Sequence, residues 1–174
     1  MAVRVVPYSE AWPSEFAAVR AELLAAFRDD TILIEHIGST SVPGLCAKPV
    51  IDVLVGASSL ENIEVAIPRL AAAQYEYVNK YEVEIPTRRY FVRQESRGPR
   101  VHVHAVVERS KIWNEHLTFR GALRSNTATR DAYALLKINV AYAHKNDKAA
   151  YTAAKAPFIT RILDSPASSV VSEG

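Results

Sequence analysis

Cysteine is nearly absent from this chain of 174 residues, and methionine and glycine are scarce: one Cys, one Met and six Gly. A single Cys46 excludes a disulfide framework and any CxxC metal knuckle. Flanked by apolar residues with no base beside it, it reads as a small packing residue. Long apolar runs are missing too, because charged residues interrupt the chain well before the 18 positions that a membrane span needs. Residues 1–10 show no basic segment followed by an apolar stretch, so the expectation is a soluble, cytoplasmic protein without a membrane partner. Excess charge is also small. Lys plus Arg total 21 and Asp plus Glu 19, a net of +2. That is too little for a protein that neutralises many nucleic-acid phosphates, and no aromatic and basic stripe accompanies it. Nucleic acid is therefore not an expected partner, whereas one basic site for a small anion is compatible with the charge.

What is present is an ordinary globular balance, 49% apolar and 23% charged. It excludes disordered, collagen-like and coiled-coil classes. The length suits one compact domain over residues 1–164, with a radius of gyration of roughly 16 Å. A Ser- and Ala-rich tail over 165–174 is expected to fray. The β-branched run Val3 to Val6, closed by Pro7, reads as a first strand. Apolar positions 16, 19, 23 and 27 recur at helical spacing, so a helix is expected from Phe16 to Phe27, capped by Ser9 or Ser14 and ended at Asp29 and Asp30. Thr31 to Ile37 alternates like a strand, with Ile32, Ile34 and His36 on one face. Val50 to Val55 reads as a buried central strand interrupted only by Asp52. Ser58 or Ser59 caps a helix to about Ala73, kinked at Pro68. A short strand over Tyr75 to Val78 and a hairpin of Arg88 to Gln94 with Arg100 to Val107 follow. Helices are expected over about 110–124, 129–144 and 147–163. The sum is an α/β (α+β) fold: a mixed sheet of four to six strands flanked by helices, with a helical C-terminal third.

The sharpest constellation runs from His36 to Asp52: a strand, the hydroxyl-rich turn Gly38-Ser39-Thr40-Ser41, Lys48, then a strand bearing a carboxylate. Backbone N–H groups and the three hydroxyls suit phosphate oxygens, Lys48 suits a negative charge, and Asp52 suits magnesium. The same residues also describe a plain surface loop with an aspartate that caps a backbone donor. His102 and His104 are two apart and share a strand face, where imidazoles bind a transition metal or shuttle a proton. Glu82 and Glu84 read as a solvated loop pair. Trp113, Phe119 and Leu123 read as core, and His116 as a lone helix histidine.

His36-Ile-Gly-Ser-Thr-Ser-Val-Pro-Gly-Leu45 followed by Ala47-Lys-Pro-Val-Ile-Asp52 resembles the signature of the GrpB family, also called UPF0157. Pro7-Tyr8, Trp12-Pro13, Arg89-Tyr-Phe91, Val101-His-Val-His104, Trp113, Phe119-Arg120, Leu123-Arg124, Tyr133 and Lys137 extend the resemblance over residues 5–160. The resemblance implies a nucleotidyltransferase-like fold. It also implies binding of a nucleotide or other phosphorylated ligand, and transfer of a nucleotidyl group to an unknown acceptor. Related domains fused to dephospho-coenzyme A kinase point to adenine nucleotides or coenzyme A precursors.

Active members of that superfamily pair two acids on one strand to hold two metals, and here Val50 and Leu54 stand two residues either side of Asp52. The expected metal ligands and catalytic residues are therefore Asp52, His102 and His104, with Mg2+ or Mn2+ as the metal and Zn2+ as the alternative. Gly38, Ser39, Thr40, Ser41, Lys48 and Arg89 are the expected phosphate contacts, Arg89 being favoured over Arg88. Arg120, Arg124, Tyr133 and Lys137 are expected along the open side of a cleft. Where the family carries an acid after Phe-Arg, this chain has Gly121. The alternatives are a binding module without turnover and a mononuclear metal hydrolase built on Asp52, His102 and His104.

Overall fold

The computed structural model describes residues 4–165, so most of the tail expected to fray lies outside the described residues. Within them the elements run α1 (Trp12–Phe27), β1 (Leu33–Ile37), β2 (Val50–Ala57), α2 (Leu60–Glu64), α3 (Ile67–Ala72), β3 (Glu76–Tyr77), β4 (Arg88–Arg93), β5 (Arg100–Val107), α4 (Lys111–Ser125), α5 (Thr127–Ala143) and α6 (Lys148–Leu163). Five strands form one sheet in the order β1-β2-β5-β4-β3. β2 and β5 pair parallel, whereas β1 with β2, β4 with β5 and β3 with β4 pair antiparallel. This is the mixed sheet that the alternating segments predict.

The local differences have physical causes. Among the described residues the expected first strand shrinks to a single bridge, Val6 with Ala47, because Pro7 ends the donors there. α1 begins four residues before the periodic stripe, since Pro13 in its first turn is pre-set for helix and needs no side-chain cap. Arg28, in the left-handed region at φ 55°, closes that helix through its N–H to Leu24. The helix expected from Ser59 to Ala73 is two helices. Pro68 lies in the first turn of α3, where its missing donor costs nothing, instead of kinking a continuous helix. Ser59, Ser110, Asn126 and Asp147 cap α2, α4, α5 and α6 with side-chain oxygens.

Strand alternation sends β2 and β5 residues to two different environments. Ile51, Val53 and Val55, with Val101, Val103 and Ala105, face α1, α2 and α3 and form the main core with Trp12, Val19, Leu23, Phe27, Ile63 and Leu70. Asp52, Leu54 and Gly56, with His102, His104 and Val106, face the other side, where Trp113 of α4 packs on Leu54, Val106 and Ile37. A Cβ on Gly56 would lie 2.7 Å from the Trp113 ring, so the close helix-to-sheet approach requires glycine there. Val42, Leu45, Leu123, Tyr133 and Phe158 tie the turn after β1 to α4, α5 and α6. The polar end of the second sheet face is thereby left open beneath the C-terminal helices. No helix among the described residues is long and apolar enough to cross a membrane.

Candidate functional site: an Asp52 cleft under the C-terminal helices

Between that sheet face and α4, α5 and α6 lies a cleft of about 390 Å³, within the size range of small-ligand sites. Asp52 sits at its floor, directly across the parallel ladder from His102. Its Oδ1 is 3.5 Å from His102 Nδ1 and 3.8 Å from His104 Nε2. Burial opposes ionisation of Asp52, but interaction with the two imidazole N–H groups outweighs it and holds the carboxyl below the ordinary range. Burial lowers His104 and takes His116, whose ring lies 5.4 Å from that of His104, to about 4. Both are therefore neutral at pH 7.

The opposite wall is cationic. Lys48, after the turn, and Lys155, on α6, lie 3.9 and 4.3 Å from the centroid of the Tyr151 ring. Among the described residues neither ammonium makes a hydrogen bond or an ion pair. Burial lowers both, Lys155 to about 8, and each is lowered further by a neighbouring lysine: Lys48 by Lys148, and Lys155 by Lys48. Lys137, buried at 2% exposure, donates to the Cys46 carbonyl, and burial takes it to about 8 as well.

The turn residues divide. Gly38, at φ 71°, brings the backbone so close to Asp52 that a Cβ would lie 2.5 Å from its Oδ2, so only glycine fits. Ser39 lines the cleft together with Tyr133. The hydroxyls of Thr40 and Ser41, expected as phosphate contacts, serve the turn itself. Thr40 donates to the Val50 carbonyl at 3.0 Å and so accepts from His36 Nε2 at 2.9 Å, while Ser41 donates to the Gly38 carbonyl at 2.6 Å. His36, which burial lowers to about 4, stacks on Phe16 at 4.6 Å in the main core.

Two arginines depart from expectation. Arg89 is opposite Ala105 on the core-facing side of β4, where it pairs with Glu64 at 2.7 Å. Its neighbour Arg88 is the one on the Asp52 side, its Nη1 3.4 Å from His104 Nδ1. Arg124 turns away from the cleft and donates twice to the Ser41 carbonyl, at 2.7 and 3.0 Å. Arg120 reaches the cleft lining while donating to Glu35 and to the His36 carbonyl. Tyr133 and Lys137 line the cleft. Glu82 accepts from the Tyr77 hydroxyl, and Glu84 is exposed.

Sequence reasoning passed over Arg88, His116, Tyr151 and Lys155. The parity of Arg88 followed from the strand register, which the hairpin pattern leaves open by one residue. Tyr151 and Lys155 lie four apart on α6 and so share a face, a signal hidden by the alanine-rich background.

A pair of magnesium ions, which this fold family implies, does not fit these residues. Asp52 is flanked on its own face by Leu54, and the neighbouring strand offers imidazoles where oxygen ligands would be needed. Among the described residues no group of three or more His, Cys, Asp and Glu is set to hold a metal ion.

Residues 2–165 match the family described as GrpB protein. The chain is 33% identical over 166 residues to the glutamate-rich protein GrpB of Alkalihalophilus pseudofirmus, covering 93% of this chain and 94% of that one. It is 28% identical to a dephospho-CoA kinase of Mycobacterium bovis over 89% of this chain but only 44% of that protein. The crystal structure of GrpB from Enterococcus faecalis superposes with a TM-score of 0.82 at 33% identity, over 91% and 94% of the two chains. Cid1 poly(U) polymerase, solved with Mg 3'-dATP, shares the nucleotidyltransferase fold at a TM-score of 0.58 and 10% identity, over 86% of this chain and 49% of that one. Sequence match, shared fold and near-complete mutual coverage agree, and the chain belongs to the GrpB family.

Proposed function

We propose that the cleft binds a nucleotide or another phosphorylated ligand, with its phosphates at Lys48 and Lys155 and its remaining polar groups toward Asp52 and Ser39. One observation carries this reading: two ammonium groups flank one aromatic ring inside a 390 Å³ cleft and, among the described residues, neither makes an ion pair with a carboxylate. Holding two unpaired cations there is unfavourable, and a polyanion between them converts that cost into affinity. Tyr151 adds an aromatic wall, and Ser39 and Arg120 add donors. The dephospho-CoA kinase relative favours adenine nucleotides and coenzyme A precursors as the first ligands to try. Turnover would need a different arrangement from paired metals, and we infer binding as the activity this site supports best.

Thermal denaturation with ATP, GTP, CTP, UTP, dephospho-coenzyme A and inorganic pyrophosphate tests the reading. A ligand at 100 times its Kd adds about 2.7 kcal/mol, which for a chain of this size raises Tm by roughly 5–10 °C. The shift should vanish in the double variant Lys48→Met, Lys155→Met. No shift with any of the six compounds would overturn the reading.

A further inference from the structure

Resting on that reading, we infer that the Asp52 cluster excludes divalent metal, so that the cleft takes its phosphorylated ligand as a metal-free anion whose charge is met by lysine.

Arginine donates hydrogen bonds and never accepts them. Arg100 Nε donates to His102 Nε2 at 3.0 Å, and Arg88 Nη1 donates to His104 Nδ1 at 3.4 Å. Each of those nitrogens must therefore present its lone pair outward, to a guanidinium. In a neutral imidazole the single proton then resides on the other nitrogen, His102 Nδ1 and His104 Nε2. Those are the two atoms that face Asp52 Oδ1. A cation placed among the three residues would meet two N–H groups where it needs two lone pairs.

The guanidiniums are themselves anchored. Arg100 Nη1 donates to Gln94 at 2.6 Å, and the Arg88 guanidinium carbon is 5.1 Å from the Tyr90 ring centroid. Exchanging the tautomers would mean displacing both. The local charge points the same way: Asp52 is one anion surrounded by Arg88, Arg100, Lys48 and Lys155. In a two-metal enzyme the cations neutralise the phosphates. Here Lys48 and Lys155 occupy that role, and Asp52, whose Oδ1 faces the two imidazole N–H groups at 3.5 and 3.8 Å, keeps Oδ2 beside Gly38 to accept a hydrogen bond from a ligand hydroxyl or amine.

Three measurements on the intact chain decide the matter. Long-range 1H–15N spectra should show His102 as the Nδ1–H tautomer and His104 as Nε2–H. The Nε2–H form of His102 would overturn the inference. Titration with MgCl2, MnCl2 or ZnCl2 alone should give no saturable binding, whereas Mn2+ broadening of the His102 and His104 ring signals would refute it. Finally, ATP and pyrophosphate should bind in EDTA at least as tightly as in MgCl2, because magnesium sequesters both as complexes and lowers the concentration of the free anion. Tightening of tenfold or more by magnesium overturns the inference and leaves the binding reading intact. Failure to bind in either buffer removes the binding reading, while the tautomer spectra and metal titrations still decide whether the cluster excludes metal.

Discussion

Lys155 makes ligand affinity a function of pH, with a sign and size that the structure sets. Its ammonium faces Lys48, Lys137, Asp52 and the Tyr151 ring, and burial takes it from the ordinary 10.5 to about 8. In the free protein the unfolded chain therefore binds more protons than the folded one between pH 8 and 10.5, and this lysine's contribution to stability rises through that window. A bound phosphate reverses the preference by stabilising the charged form. If the ligand returns Lys155 to its ordinary value, binding at pH 8 takes up about half a proton, and at pH 6.5 less than a tenth of one. The same linkage weakens affinity by about 20-fold between pH 7.5 and 9.5. Isothermal titration with ATP in buffers of different ionisation enthalpy measures the uptake directly, and Kd against pH measures the slope. Lys155→Met should weaken binding at pH 7.5 and flatten the profile. A flat profile in the unaltered chain, or an equal slope in Lys155→Met, refutes the assignment.

Further outcomes follow from the packing and the ion pairs. Gly56→Ala pushes a methyl into the Trp113 ring and should destabilise by about 1–3 kcal/mol, read as a lower urea midpoint with unchanged slope. Gly121→Ala, on an exposed turn of α4 where an added Cβ meets nothing within 4 Å, should stabilise by roughly 0.5–1 kcal/mol, a measurable rise in Tm. Glu22→Ala removes the carboxylate that pairs with Arg93, which is 3% exposed, and should cost roughly 3 kcal/mol because that guanidinium stays buried. Arg89→Ala should leave phosphate affinity within twofold and stability within about 1 kcal/mol, whereas Arg88→Met should change the His104 tautomer signal.

The sheet and its central carboxylate were legible because apolar alternation has a single period. One acid inside Val50 to Val55 has nowhere to go except a polar cleft. The turn was legible as a turn, but small hydroxyl residues look alike whether they serve a ligand or their own backbone, and Thr40 and Ser41 chose the backbone. Arg88 and Arg89 differ by one step of strand parity, which only the pairing of Arg88 with Val106 resolves. Lys155 was hidden for another reason: its importance depends on where α6 lands, a tertiary fact that helical spacing does not encode. The early start of α1 was missed because Trp12-Pro13 initiates a helix without any capping side chain.

The parallel pairing of β2 with β5 also bears on how the molecule is assembled. β1 with β2 and β4 with β5 are neighbours in sequence, the latter joined by a six-residue turn, and local pairs of this kind close in microseconds. Asp52 and His102 stand fifty residues apart and meet only when those two halves zip together around α2, α3 and β3. That closure carries the largest loop entropy in the sheet and belongs late in folding. Signals from the Asp52 cluster should therefore appear after secondary structure has formed, and a partly folded chain with both hairpins intact would have no site at all.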